Sequence, residues 1–172
     1  ADTELSARAI RDSDSYPDLG FHSDPLDFVV SGITLTNATL TLTNGVALGT
    51  YGASTANGIK INSGGNLVSG GSAASLNRIV RYNTVQEQAT TNWSSSTVAK
   101  SISGGAGFSF TYWSLLAANG YHFNSTARIA LQDCQISGGI LYSYKTELAA
   151  TNCVWDRVNL IIDDHHQTHS RS

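Results

Sequence analysis

Methionine is absent from all 172 residues, position 1 included, and the chain opens on Ala1. Either the chain is cut from a precursor or it is a piece of a larger protein; signal-peptide cleavage sites favour small residues, so the expectation is an exported protein, secreted or held at the cell surface. Charge is scarce: Asp, Glu, Lys and Arg make up 13% of the chain, and the net charge is −3. That balance gives no electrostatic footing for nucleic acid or for an anionic membrane surface. No run approaches the ~20 apolar residues of a membrane span. There are 2 cysteines and no CxxC pair or close Cys/His spacing, which argues against a structural metal site. Proline occurs only 2 times, while Gly (16), Thr, Ser and Asn are abundant. Such a composition is poor in helix formers and rich in turn and strand residues.

What the chain does have is a recurring octet. Ile129-Ala-Leu131-Gln-Asp133-Cys134-Gln-Ile136 returns as Leu148-Ala-Ala150-Thr-Asn152-Cys153-Val-Trp155. Phe108-Ser-Phe110-Thr-Tyr112-Trp113-Ser-Leu115 and Ile33-Thr-Leu35-Thr-Asn37-Ala38-Thr-Leu40 share the pattern. Two apolar residues at period two make a strand with one buried face, and the Asp or Asn then bends the chain. Spacings of 21 residues from Phe108 to Ile129 and 19 from Ile129 to Leu148 read as a solenoid of strand-turn-strand units.

Further coils are expected at Ile33–Leu42, at Ile59–Leu67, and at Ile79, Arg81, Asn83 and Val85. For the first two, Ile33 stacking on Ile59 competes with Leu40 stacking on Ile59. Residues 86–105 are polar and read as an excursion. The fold expected is all-β, a right-handed parallel β-helix of about six coils, with a β-sandwich as the alternative. Its divisions are an N-terminal cap or assembly segment at 1–30, the β-helix at 31–162, and a mobile tail at 163–172.

Four stretches carry a resemblance: Asp12–Gly32 (DSDSYPDLGFHSDPLDFVVSG), Leu76–Gln88, Phe108–Phe123 and Ile129–Tyr142. Together they resemble the large right-handed parallel β-helix repeat proteins of exported bacterial systems. In those, a PDLGxHxDPxDF/Y stretch precedes coils with recurring DC or NC turns. The resemblance implies the fold and export. It brings no catalytic residues, since that fold hosts many activities.

Candidate chemistry is thin. Glycoside hydrolysis needs two carboxylates at a separation of ~5–9.5 Å, yet only Glu87 lies between residues 28 and 132. Asp133, Glu147 and Asp156 follow singly, and Asp133 occupies a turn position of the octet. Together with Arg128 and Arg157 they are the residues a lyase or hydrolase would have to use. Asp12, Asp14, Asp18, Asp24 and Asp27 form the densest oxygen-ligand cluster, which suits calcium; the EF-hand loop register is missing, and solvated turn capping explains the cluster better. Asp163, Asp164, His165, His166 and His169 could bind a transition metal, although a linker or processed terminus accounts for them. Asn92 and Asn124 match the N-glycosylation pattern in loop-like surroundings, and Asn37 matches it within an octet turn.

Cys134 and Cys153 occupy one slot of consecutive octets, which permits either a disulfide or a ladder of two buried thiols. Trp113 and Trp155 fall on inward positions. Tyr121 and Tyr142 align one coil apart as a ladder. Thr39, Thr41 and Thr43 form an exposed array, but it has no counterpart on later coils. The function expected is a non-catalytic structural or surface solenoid that self-assembles end to end into a fibre. Alternatives are a carbohydrate-binding or adhesion module with polysaccharide as partner, and a polysaccharide lyase or glycoside hydrolase.

Overall fold

Strands dominate the computed structural model, which describes residues 26–51, 57–82, 94–101, 103–114, 119–144 and 147–163. They follow one another in threes. The first triad is β1 (Phe28–Val30), β2 (Ile33–Leu35) and β3 (Thr39–Leu42), and the second is β4 (Ala47–Thr50), β5 (Asn57–Ile61) and β6 (Asn66–Gly70). Then come β7 (Asn77–Arg81), β8 (Ser94–Ser101) and β9 (Gly105–Ser109), followed by β10 (Thr111–Ser114), β11 (Asn119–Ser125) and β12 (Ile129–Gln132). The fifth triad is β13 (Gln135–Ser137), β14 (Ile140–Tyr144) and β15 (Leu148–Thr151), and β16 (Val154–Asp156) and β17 (Asn159–Asp163) close the series.

Each strand pairs with the strand three places on. Sheet A takes β1, β4, β7, β10, β13 and β16; sheet B takes β2, β5, β8, β11, β14 and β17; sheet C takes β3, β6, β9, β12 and β15. Every ladder between these strands is parallel. The antiparallel sheets of a β-sandwich are therefore not what these residues build.

Because side chains alternate across a strand, in-register pairing stacks inward residues into columns. In sheet A the column runs Phe28, Leu48, Ile79, Trp113, Ile136, Trp155. Sheet B gives Ile33, Ile59, Ala99, Phe123, Leu141, Leu160. Residues from all three sheets meet in one core. Volume is balanced along the columns: Trp113 lies between two isoleucines, and the small Ala99 adjoins Phe123.

Several expectations change. Ile33 stacks on Ile59 and Leu40 on Leu67, which settles the competing registers in favour of the first. Residues 94–101 are no excursion but a central strand of sheet B, with Ala99 fully buried. A strand that reads SSSTVAKS, with alanine as its buried residue, carries little apolar signal. Phe28–Val30 belongs to sheet A rather than to a cap, and Leu26 covers the outer side of that sheet against Ala47 and Val80. Residues 83–93, including Asn83, Val85, Glu87 and Asn92, lie outside the described set, as do 1–25 and 164–172.

The octet register is corrected as well. Phe108 pairs with Leu131, and Ala106 pairs with Ile129. A slip of two residues leaves every side chain on its original face, so periodicity cannot detect it. Trp113 accordingly stacks on Ile136, and the neighbour of Cys134 is Thr111.

Candidate functional site

The corner between sheets C and A gathers both cysteines and a set of the chain's buried polar groups. Here the backbone must turn sharply, and it does so through the left-handed region at Phe110 (φ 44), Asp133 (φ 52) and Asn152 (φ 51). Asn and Asp tolerate this conformation through local side-chain hydrogen bonds, and the Asn152 amide donates to the Asp133 carboxylate one rung away. The same bend serves other corners: Asn37 (φ 49) joins β2 to β3, and Arg157 (φ 53) joins β16 to β17. The polar slot of the octet is thus a corner device.

The residue after the bend points inward, and successive rungs place Val46, Asn77, Thr111, Cys134 and Cys153 in line. Asn77 is fully buried and fully employed. Its Nδ2 donates to the Leu42 carbonyl (3.1 Å) and Ser69 Oγ (2.9 Å), and its Oδ1 accepts from the Val46 amide (3.1 Å). Ser69 Oγ in turn shares a 2.7 Å hydrogen bond with Thr111 Oγ1. This network holds the third corner together. Asn77→Ala removes the donor to the buried Leu42 carbonyl and to Ser69 Oγ, while the Val46 amide keeps the Thr43 carbonyl, so we expect a loss of about 2 kcal/mol in urea unfolding.

Further along, the slot changes from oxygen to sulfur. Cys134 is buried and Cys153 half-buried; both are free thiols. Cys134 Sγ donates to the Gln132 carbonyl (3.3 Å) and Cys153 Sγ to the Thr151 carbonyl (3.3 Å). Burial first, with the neighbouring Cys153 thiol adding to it, pushes the Cys134 thiol up to about 11.

A buried histidine, which periodicity gives no reason to single out, sits at the centre of the core. A register shift between Tyr121 and Phe123 in β11 turns His122 inward beside Phe123. Its Nε2 lies 2.6 Å from the Gly138 carbonyl, its Nδ1 has no hydrogen-bond partner, and its ring meets Trp113 edge-on. Desolvation lowers its pKa to about 4, with a smaller push from the Arg81 charge. Hydrogen bonds to backbone carbonyls oppose that shift without overcoming it.

Among the described residues the carboxylates do not converge. Glu147 pairs with Arg128 (3.2 Å) and Asp156 with Arg157 (3.2 Å), all on the exposed surface. Asp156 also accepts from Ser137 Oγ, and these donors, Arg157 first, hold it below the usual carboxylate range. Asp133 is engaged by Asn152, and Asp27 Oδ2 accepts from the Ala47 amide (2.9 Å). Among the described residues no three His, Cys, Asp or Glu side chains gather as a metal would require. Of the calcium cluster only Asp27 is described; Asp12, Asp14, Asp18 and Asp24 fall outside, as do Asp164 and the tail histidines His165, His166 and His169.

Two surface features complete the inventory. Tyr121, Tyr142 and Tyr144 form a strip on sheet B with ring centroids 6.4 and 6.2 Å apart, and Tyr142 Oη donates to Asp163 (3.2 Å). Asn124 lies within β11 beside this strip rather than in a loop, because the alternation of Phe123 and Ser125 carries the strand through it. The Thr39–Thr43 array is not propagated: Thr41 is followed by Val68, Gly107, Ala130 and Ala149.

At the C-terminal end, two columns of sheet B finish in exposed apolar residues, while the sheet A column finishes in the half-buried Trp155. Leu160 continues the Leu141 column and is 43% exposed; Ile162 continues the Ser143 column and is 57% exposed. No helix among the described residues is long and apolar enough to cross a membrane. Comparison with protein-family models, with characterised proteins and with solved structures gives no match for this chain.

Proposed function

We propose that the chain is a right-handed parallel β-helix of six coils, exported to the cell surface or beyond, that acts as a structural unit without catalysis. The strict rotation of strands through three parallel sheets around one core supports the helix. The observation that carries the function is the open final coil. Leu160 and Ile162 lie in register with core columns yet meet solvent, and among the described residues β16 and β17 are edge strands of sheets A and B, the kind of edge that can accept a further strand. Two interior columns that end in Leu160 and Ile162 begin with Ile33 and Leu35. A second copy set head to tail continues both columns, and such a heterologous contact repeats into a fibre.

Sedimentation velocity over a wide concentration range tests this. Association should grow with concentration and be lost in Leu160→Asp/Ile162→Asp, with the circular dichroism unchanged. A chain that stays monomeric throughout, or a variant that associates as before, refutes it. The tyrosine strip with Asp163 favours a second reading, a glycan-binding face on sheet B. A glycan array without hits removes that one.

A further inference from the structure

We propose that Cys134 and Cys153 close into a reversible intramolecular disulfide that fastens β16 and β17 to the body of the fold. The two residues are rung neighbours. Gln135 pairs with Val154 on one side, and on the other the Asp133 amide donates to the Thr151 carbonyl. Adjacent strands lie ~4.8 Å apart, inside the ~4.4–6.8 Å Cα separation a disulfide spans. Each thiol meets the carbonyl two residues before it, and Cys134 Sγ also reaches the Phe108 carbonyl at 3.5 Å. Closing the bond gives up those weak sulfur contacts and no hydrogen bond of the ladder. The inference does not depend on end-to-end association.

The co-reactant is a small-molecule disulfide such as oxidised glutathione. Cys153 is the half-exposed member, so its thiolate attacks first. The glutathione S–S bond breaks, one glutathione leaves, and it takes up the proton that Cys153 released. Cys134 then loses its proton and attacks the Cys153 sulfur, and the second glutathione departs as thiol. Two protein thiols are oxidised and one glutathione disulfide is reduced. The thiolate is the attacking species, and burial disfavours it at Cys134, so Cys153 is captured first and Cys134 acts second.

The native chain is incubated with oxidised glutathione, quenched in acid at intervals and read by intact and peptide mass spectrometry. The expected course is a transient adduct on Cys153, then a product two hydrogens lighter with the Cys134 and Cys153 peptides linked. In Cys134→Ser the Cys153 adduct should persist, and Cys153→Ser should remain unmodified while folded. Proteolysis within 148–163 should slow several-fold in the oxidised form. A permanent Cys153 adduct in the native chain, a Cys153-linked dimer, or folded protein that does not react under conditions that oxidise it in urea would each overturn the proposal.

Discussion

Replacing Phe123 with alanine should remove about 3–5 kcal/mol of stability, the range for emptying a phenylalanine site in a packed core. Domains of this kind hold only about 5–15 kcal/mol in total, so the variant should unfold at a far lower urea concentration. The reason lies in position as much as in size. Phe108 from sheet C, Trp113 from sheet A and Phe123 from sheet B meet edge to face, with centroids 4.7 Å apart for Phe108–Trp113, 5.9 Å for Phe108–Phe123 and 6.5 Å for Trp113–Phe123. One aromatic from each sheet thus ties the three together, and each such pair adds about 0.5–1.5 kcal/mol beyond burial. Collapse around the hole is limited, because the methyl group of Ala99 on the neighbouring rung is too short to swing into it. Val68→Ala, on the outer face of sheet C and 42% exposed, is the control and should shift the midpoint little. A Phe123→Ala midpoint close to that control would mean the three sheets do not share one core.

How much of this was legible in the chain depended on parity. The alternation Ile129/Leu131, the bend at Asp133 and the inward Ile136 gave strand, corner and strand without ambiguity, and the 19-residue return to Leu148 gave the rung. Phe108 and Phe110 looked like the same alternation, but they lie two residues out of step, and Phe110 spends its apolar side chain on a corner. Apolar pattern reports the face and not the rung. β8 stayed hidden for the opposite reason: where Phe123 fills the space, its neighbour must be small, and alanine among serines reads as loop. The buried polar corner had no signature either. Asn77, Ser69 and Thr111 are distant in sequence and acquire their meaning only from stacking. Cys134 and Cys153 were visible as a pair because their octets really are in step.

His122 supplies the second large effect, and it is a pH effect. In the folded chain its pKa is about 4 against an ordinary value of 6.5. The unfolded chain therefore binds a proton between those limits that the folded chain does not. Stability must fall as pH falls through that interval and level off below it. At 1.36 kcal/mol per unit, the loss from pH 7 to pH 4 is about 3 kcal/mol, close in size to losing a core side chain. The exposed carboxylate of Asp156, held low by Arg157 and Ser137, acts in the same direction but only below the ordinary carboxylate range, so the two windows separate. Urea midpoints measured at half-unit steps should trace the His122 window. In His122→Gln, whose amide can still donate to the Gly138 carbonyl, the slope between pH 6.5 and 4 should shrink to what the other groups supply. An NMR titration of the ring should find it neutral in folded protein at pH 5.5. A ring that protonates near pH 6.5 without loss of stability would place His122 in contact with water, and would contradict a core that closes around it.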